Sequence, residues 1–203
     1  MLPPTEMALL DSVLEVKNNQ KTGSGGNYLN PGSIDKDSQV RITILGTSSL
    51  GGYECWVAKE GKRFSMKFKT EPTREDLKER ADEEGVELTG EEKVKGFYAF
   101  FIWNYDEEAV QVFQFSQQGL IDPIISNLSD EEISQEPHAY DFKISTNGLS
   151  GLDKRYNVAC VPGKRRQEKV NKQIAEAFQE VLKGGGDLTN LLVGADPFKS
   201  LDF

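Results

Sequence analysis

Residues 96–105, GFYAFFIWNY, constrain the fold more than any other segment of the chain. Apolar side chains occupy both sets of alternating positions: Phe97, Ala99, Phe101 and Trp103 in one set, and Tyr98, Phe100 and Ile102 in the other. Successive side chains of a strand point to opposite faces of a sheet. The segment therefore predicts a strand with at least one face buried in the core.

This strand opens a longer pattern that runs from residue 96 to residue 161. GFYAFFIWNY and AVQVFQF form a predicted hairpin through YDEE, and QQGLIDPIISNL follows as a short helix. Pro123 is expected only in the first turn of that helix, because an interior proline breaks the hydrogen-bond ladder. An acidic connection, LSDEEISQEPHA, then leads to the predicted strands YDFKIST and RYNVACV around a Gly-containing turn.

Three further strands are predicted between residues 39 and 69. QVRITIL alternates apolar with polar positions, and YECWVAK and RFSMKFK follow after turns. In RFSMKFK, Phe64, Met66 and Phe68 alternate with Arg63, Ser65, Lys67 and Lys69. The alternation predicts a row of cations on one side of the strand, and a solvated outer face explains the pattern equally well.

Helices are predicted around this β-rich core. Residues 73–85 form a charged helix between Pro72 and Gly85, and residues 167–182 repeat apolar side chains at helical spacing. The predicted organisation is an N-terminal helix (residues 8–17) and flexible arm within 1–38, and a core at 39–161 with a helical insertion at 71–92. A C-terminal helix at 162–186 and a flexible acidic tail at 187–203 complete it. The predicted fold class is mainly β with peripheral helices, as an OB-fold-like five-stranded barrel.

The net charge of −9 argues against a nucleic-acid ligand, but the charge is unevenly distributed. Residues 39–69 have a balance of +4 and residues 139–173 of +5, whereas residues 71–92 have −7 and residues 104–137 have −8. A local groove acts within a Debye length of about 10 Å, so segregation favours a cationic binding site on an acidic protein. Any acidic protein also has some basic stretches.

Aromatic rings and cations on a sheet are the groups that hold unpaired nucleic acid, because rings stack on bases and cations neutralise phosphates. The candidate rings are Tyr53, Trp56, Trp103, Tyr105 and Tyr156, although core positions explain most aromatic residues here. The first group of candidate cations is Arg41, Lys59, Lys62, Arg63, Lys67 and Lys69. The second group is Lys143, Lys154 and Arg155, with KRR at 164–166. Barrel closure is expected to align the two groups along one groove.

Few features indicate catalysis, and no catalytic residue, metal or cofactor is predicted. His138 lies in a surface connection without a nucleophile motif. With Cys55 and Cys160 as the two cysteines and one histidine, a Cys/His zinc site is almost excluded. Two reduced thiols indicate the cytoplasm, or the host cytoplasm if the protein is viral. No apolar run approaches the ~20 residues that cross a bilayer, and the first residues do not form a signal peptide.

The pattern of residues 96–161 resembles the replication single-stranded DNA-binding proteins of T-even-like bacteriophages. It contains VFQF, QQGLIDPII, an aspartate-led strand DFKIS, a turn NGLSG and the basic-aromatic DKRYNV. The resemblance extends less specifically to NYLNP, VRITILG and GYECWV, and so covers roughly residues 27–161. It implies an OB-fold core that coats displaced strands in replication, recombination or repair. It also implies that Lys143, Lys154, Arg155 and Tyr156 face the strand. The family's zinc site is absent.

The C-terminal end carries a second similarity. GADPF and the terminal LDF are similar to the acidic, Phe-tipped tails that recruit replication partners to single-strand binders. This implies that replication or recombination proteins contact Asp196, Pro197, Phe198, Asp202 and Phe203; an ordinary disordered terminus is an equal alternative. The family's basic cooperativity segment is matched here only by Lys17 and Lys21, so self-association on DNA stays an open expectation.

Two other functions stay open. The acidic segments are compatible with a β-barrel protein-interaction module, such as a viral adaptor or inhibitor. A metal-dependent nuclease is the least favoured alternative, because the sequence has no convergent carboxylate motif.

Overall fold

A computed structural model describes residues 26–36, 38–47, 49–59, 61–149, 153–163 and 166–200. In this part of the chain, one mixed sheet contains the strands β1 (Tyr28–Leu29), β2 (Gln39–Ile44), β3 (Leu50–Lys59), β4 (Lys62–Phe68), β5 (Val94–Asn104), β6 (Ala109–Phe115), β7 (Tyr140–Thr146) and β8 (Tyr156–Pro162). The α-helices are α1 (Arg74–Glu84), α2 (Gln118–Leu128), α3 (Glu131–Gln135) and α4 (Glu168–Lys183), and short 3-10 helices cover Pro31–Ser33, Pro137–Ala139 and Leu188–Val193. The helix predicted at 8–17 lies outside the described residues.

The aromatic strand β5 lies at the centre of the sheet. One edge of β5 pairs antiparallel with β6, which confirms the predicted hairpin. The other edge pairs with β3 between Leu50↔Ala99 and Cys55↔Val94, and then with β2 between Ile42↔Asn104 and Ile44↔Ile102. β2 and β3 therefore act as one long strand along β5, interrupted between Ile44 and Leu50.

The outer edge of this long strand divides between two partners. β7 pairs with β2 and then with β8, whereas β4 pairs with β3. β1 adds in parallel to β6. Among the described residues no ladder joins the outer strands β1, β4 and β8, so the sheet is open. The prediction of a mainly β protein with peripheral helices is confirmed, and the predicted barrel is not closed.

The two faces of the sheet carry separate apolar cores. On one face, here called the α2 face, Phe100 and Ile102 pack with Ile42, Ile44, Phe142 and Ile144 beneath Leu120 and Ile124 of α2. On the other, the α4 face, Phe97, Ala99, Phe101 and Trp103 pack beneath Ile174 of α4 and Leu188 and Leu191. A third cluster joins the β3–β4 hairpin to α1 through Cys55, Val57, Met66 and Ala81. Both apolar sets of β5 are thus buried, as its composition requires.

Two helices begin and end close to their predicted signals. Thr73 and Asp76 form a capping box at the start of α1, and Gly85 ends it at φ 63°, a left-handed conformation that glycine adopts without strain. α4 covers nearly the predicted span. Pro123 differs from the prediction, because it lies inside α2 rather than in its first turn. None of the described helices is long and apolar enough to cross a membrane.

The segment 187–200 packs against the α4 face instead of forming a flexible tail. Leu188 and Leu191 are buried, and the ring of Phe198 lies edge-on to Phe101 at a centroid distance of 5.5 Å. The Asn190 side-chain amide donates to the carbonyls of Asp196 (3.1 Å) and Lys199 (2.7 Å). The tail prediction is corrected here, because the apolar residues of this segment complete the core. Residues 201–203 lie outside the described residues.

Candidate nucleic-acid interface

The strand register sorts the predicted binding residues between the two faces. Side chains directly opposite one another on paired strands share a face. The pairs Leu50↔Ala99 and Thr43↔Trp103 place Leu50 and Thr43 on the α4 face, together with every second residue of their strands. Of the predicted binding residues, this face therefore carries Arg41, Trp56, Arg63, Lys67, Trp103 and Lys143. The same alternation places Tyr53, Lys59, Lys62 and Tyr156 on the α2 face. Lys69 follows β4 and is exposed.

Trp56 presents its ring to solvent on the outer part of the α4 face. Among the aromatic residues that the structure describes, Trp56 alone is exposed, with 45 % of its surface accessible. Ser65 lies directly opposite on β4, and its short side chain covers little of the indole. The Arg63 guanidinium lies 5.9 Å from the ring centroid. A ring and a cation are therefore available together, which is the pair that stacks on bases and neutralises phosphates.

A buried carboxylate fixes the orientation of this ring. Glu54 is 2 % exposed and accepts hydrogen bonds from Trp56 Nε1 (3.1 Å) and Gln114 Nε2 (3.0 Å). Lys67 on β4 and Lys95 on β5 lie directly opposite Glu54 on its two sides. Burial lowers the pKa of Lys67, and the nearby Glu54 carboxylate opposes that shift. These five residues, Glu54, Trp56, Arg63, Lys67 and Lys95, are here called the Trp56 platform.

A second polar area occupies the other end of the α4 face. Arg41 on β2 lies directly opposite Lys143 on β7, and Ala159 on β8 lies opposite Lys143. The strands also place Gln39, Ser145 and Asn157 on this face. These residues, Gln39, Arg41, Lys143, Ser145, Asn157 and Ala159, are here called the polar strip. They are exposed or half-buried, and they include two cations and no carboxylate.

Asp141 is buried beside the polar strip and connects four parts of the chain. Its carboxylate accepts from Arg41 Nε (3.0 Å) and Tyr105 Oη (2.9 Å), and forms an ion pair with Arg166 at 3.1 Å. The Arg41 guanidinium lies 4.3 Å from the Tyr105 ring centroid. Burial, and secondarily the charge of Asp141, raises the pKa of Tyr105. Asp141 thus joins β7 to β2, to the residue after β5 and to Arg166, which lies two residues before α4.

Several predicted contacts have structural roles instead. Lys59 Nζ donates to the Glu84 carbonyl at 2.7 Å, at the C-terminal end of α1 where a cation is favoured. Lys154 Nζ donates to the carbonyls of Gly32 (2.9 Å) and Ile34 (3.2 Å), and Tyr156 Oη donates to Pro31 (3.2 Å). Lys154 and Tyr156 therefore hold the turn at 31–34 against the sheet.

Trp103 does not fit the stacking role predicted for it. Its side chain is 2 % exposed, because α4 and the Leu188–Val193 helix cover this part of the face. The Trp103 prediction is wrong for this conformation, since a base cannot reach the ring.

Two further predicted residues lie away from the α4 face or at its margin. Tyr53 is half-buried on the opposite face, across from Phe68. Arg155 is exposed immediately before β8.

Of the two predicted groups of cations, Arg41, Arg63, Lys67 and Lys143 lie on the α4 face, and barrel closure does not align them. Arg41 and Lys143 lie at one end of this face, and Arg63 and Lys67 lie at the other. β5 separates them along its length from Val94 to Asn104, which is about 33 Å at a strand rise of ~3.3 Å per residue. α4 and residues 187–200 cover the apolar middle of the face. The prediction of a single closed groove is therefore corrected to two separate polar ends.

The predicted partner-binding tail is engaged within the molecule. Pro197 is buried, Phe198 packs on Phe101, and the Asp196 carboxylate accepts from the Phe198 backbone N–H at 3.0 Å. Asp202 and Phe203 lie outside the described residues. This arrangement leaves Asp196, Pro197 and Phe198 with intramolecular contacts where partner contacts were predicted.

Sequence analysis overlooked Lys95, Glu54, Gln114 and Asp141. Because strand residues two positions apart share a face, Phe97 would have placed Lys95 on the α4 face. The partners of Glu54 and Asp141 depend instead on which strands pair, and the sequence does not show this.

Within the described residues, no group of three or more His, Cys, Asp or Glu side chains is arranged to hold a metal ion. No protein-family model matches the chain, and no curated protein matches it.

Proposed function

We propose that this protein binds single-stranded DNA with little sequence preference and without catalysing a reaction. The observation that carries the proposal is the exposed Trp56 ring, held by the buried Glu54 and accompanied by Arg63. Stacking of one base on an aromatic side chain contributes about 1–3 kcal/mol, and every base offers a ring face. The platform therefore binds a strand through features that all sequences share.

The cations of the platform complete the contact. Arg63 lies beside the ring, and Lys67 and Lys95 lie opposite the neighbouring Glu54 on β4 and β5, where phosphates on either side of a stacked base would lie. Neutralised phosphates release counterions, so affinity falls as salt rises. This mechanism requires one accessible sheet face and not a closed barrel. Because the sheet of the described residues is open, the relation to the OB-fold stays a prediction.

The biological setting is part of the same proposal, and it depends on the resemblance of residues 96–161 to the phage replication single-stranded DNA-binding proteins. The protein would coat and protect displaced strands during phage DNA replication, recombination or repair in the host cytoplasm. Contacts with replication or recombination proteins are also part of this proposal, through surfaces other than Pro197 and Phe198, because these two residues pack within the molecule.

Tryptophan fluorescence during titration with an oligothymidylate of about 20 nucleotides tests the proposal at two salt concentrations. We expect quenching, and weaker binding at the higher salt concentration. Trp56→Phe should abolish the quenching, whereas Trp103→Phe should retain it because Trp103 is buried. Trp56→Ala should weaken binding about tenfold or more, since 1.4 kcal/mol equals a factor of ten.

Two results would contradict the proposal. One is the absence of quenching, and the other is an affinity that does not depend on salt. A stoichiometric protein partner captured after nuclease treatment, without DNA retention, would instead support the protein-interaction module.

A further inference from the structure

The polar strip contains a pair of like charges that the folded chain does not neutralise fully. Arg41 and Lys143 lie directly opposite one another on β2 and β7, an arrangement that is destabilising between strands. Asp141 is the adjacent carboxylate, and it already accepts from Arg41 and Tyr105 and forms an ion pair with Arg166. Among the described residues, Lys143 has no ion pair. The strip therefore keeps an unmatched positive charge.

The neighbours of Lys143 leave this charge accessible to a ligand. Ala159 flanks it on β8 with a side chain too short to cover it. Ser145 and Asn157 lie opposite one another farther along the same strands and add neutral hydrogen-bond donors. The rest of the strip lacks an exposed carboxylate, on a chain whose net charge is −9. This combination suits an anion with several oxygen atoms.

We infer that the polar strip binds phosphodiester groups of the strand whose base stacks on Trp56, so that one strand contacts both ends of the α4 face. This inference rests on the proposed function. The ends are about 33 Å apart along β5, which corresponds to about ten nucleotides at the 3.4 Å spacing of a duplex strand, and to fewer in a stretched strand. Short strands therefore contact the platform alone, and longer strands contact the strip as well.

Binding of labelled oligothymidylates of about 4 and about 20 nucleotides, measured by fluorescence anisotropy, tests this two-ended contact. Lys143→Ala should weaken binding of the longer strand several-fold and reduce its salt slope by about one. The same variant should leave the shorter strand unchanged, whereas Trp56→Ala should weaken both. Lys78→Ala is the matched control, because Lys78 is an exposed lysine on α1, away from the α4 face.

Lys143→Glu provides a second variant, and it should weaken the longer strand more than Lys143→Ala while thermal melting remains that of a folded protein. The inference is overturned if Lys143→Ala behaves like Lys78→Ala on the longer strand, or if it weakens both strands equally. If the wild-type protein binds neither strand, both the proposed function and this inference fail. That outcome is distinguishable from a failure of the inference alone, because the two Lys143→Ala outcomes can be observed only when the wild-type protein binds.

Discussion

Two buried carboxylates organise the two ends of the α4 face, and they are satisfied by different kinds of donor. Glu54 accepts from neutral N–H groups of Trp56 and Gln114, with lysines opposite on both sides. Asp141 accepts from a tyrosine hydroxyl and is paired with two arginines. The first carboxylate orients an exposed ring, and the second joins distant parts of the chain.

The difference indicates where binding and stability are concentrated. The partners of Glu54 belong to the same sheet region, and one of them, Trp56, is exposed. The partners of Asp141 include Arg166, whose side chain is 5 % exposed and which lies two residues before α4. We therefore expect substitutions of Glu54 to reduce mainly the affinity for DNA, and substitutions of Asp141 to reduce mainly the free energy of unfolding.

The largest expected effect is the loss of stability in Asp141→Ala. Removing one partner of a buried ion pair leaves an uncompensated charge, here on Arg166, and destabilises a protein by about 3–5 kcal/mol. Urea denaturation, followed by the fluorescence of the buried Trp103, measures the free energy of unfolding. Glu54→Ala should lose less, about 1–3 kcal/mol, because its direct donors are uncharged. Equal losses in the two variants would remove the distinction between the two ends.

A smaller effect is expected on DNA affinity when Glu54 is changed. Glu54→Ala removes the acceptor that orients the Trp56 ring, and affinity should fall about fivefold, the equivalent of one hydrogen bond of about 1 kcal/mol. Glu54→Gln keeps an acceptor oxygen for Trp56 Nε1 and should retain most of the affinity. Anisotropy titrations of the two variants compare them. Equal losses would show that the charge of Glu54, and not the orientation of the ring, supports binding.

The smallest expected effect is a pH dependence of stability at the platform. Burial lowers the folded-state pKa of Lys67, so the folded protein releases this proton at a lower pH than the unfolded chain does. The contribution of Lys67 to stability should therefore rise with pH between the lowered pKa and the unfolded value of about 10.4. Lys67→Met should remove that rise, and Lys95→Met, at the exposed lysine on the other side of Glu54, should keep it. Urea denaturation at several alkaline pH values measures both slopes, and an unchanged slope in Lys67→Met would assign the rise to another group.

Local patterns predicted much of the secondary structure. Alternation in QVRITIL and RFSMKFK correctly placed Ile42, Ile44 and Met66 in the core, and Arg41, Arg63 and Lys67 on the opposite face. Thr73 caps the start of α1 and Gly85 caps its end, and both could be predicted because capping depends on residues within one turn. The closed barrel failed as a prediction because closure depends on which distant strands pair, and alternation contains no information about that.

The exposed ring could not be chosen from the sequence. Trp56 and Trp103 both lie in alternating strands, and both side chains belong to the α4 face. Trp103 is buried because residues of α4 and of Leu188–Val193 cover it, and Trp56 lies beyond that cover. The phenylalanine of GADPF was assigned to a partner, yet the apolar surface nearest to it was Phe101 of its own chain.

The order of residues along the chain by itself determined the strands, the faces they present, the helix ends and the uneven charge. These depend on periodicity and on side chains only a few positions apart. The tertiary structure alone decided that the sheet stays open, that the cations divide between two ends, and which carboxylates and rings are covered. Each of those outcomes depends on contacts between residues far apart in the chain, such as Arg41 with Asp141 or Glu54 with Gln114.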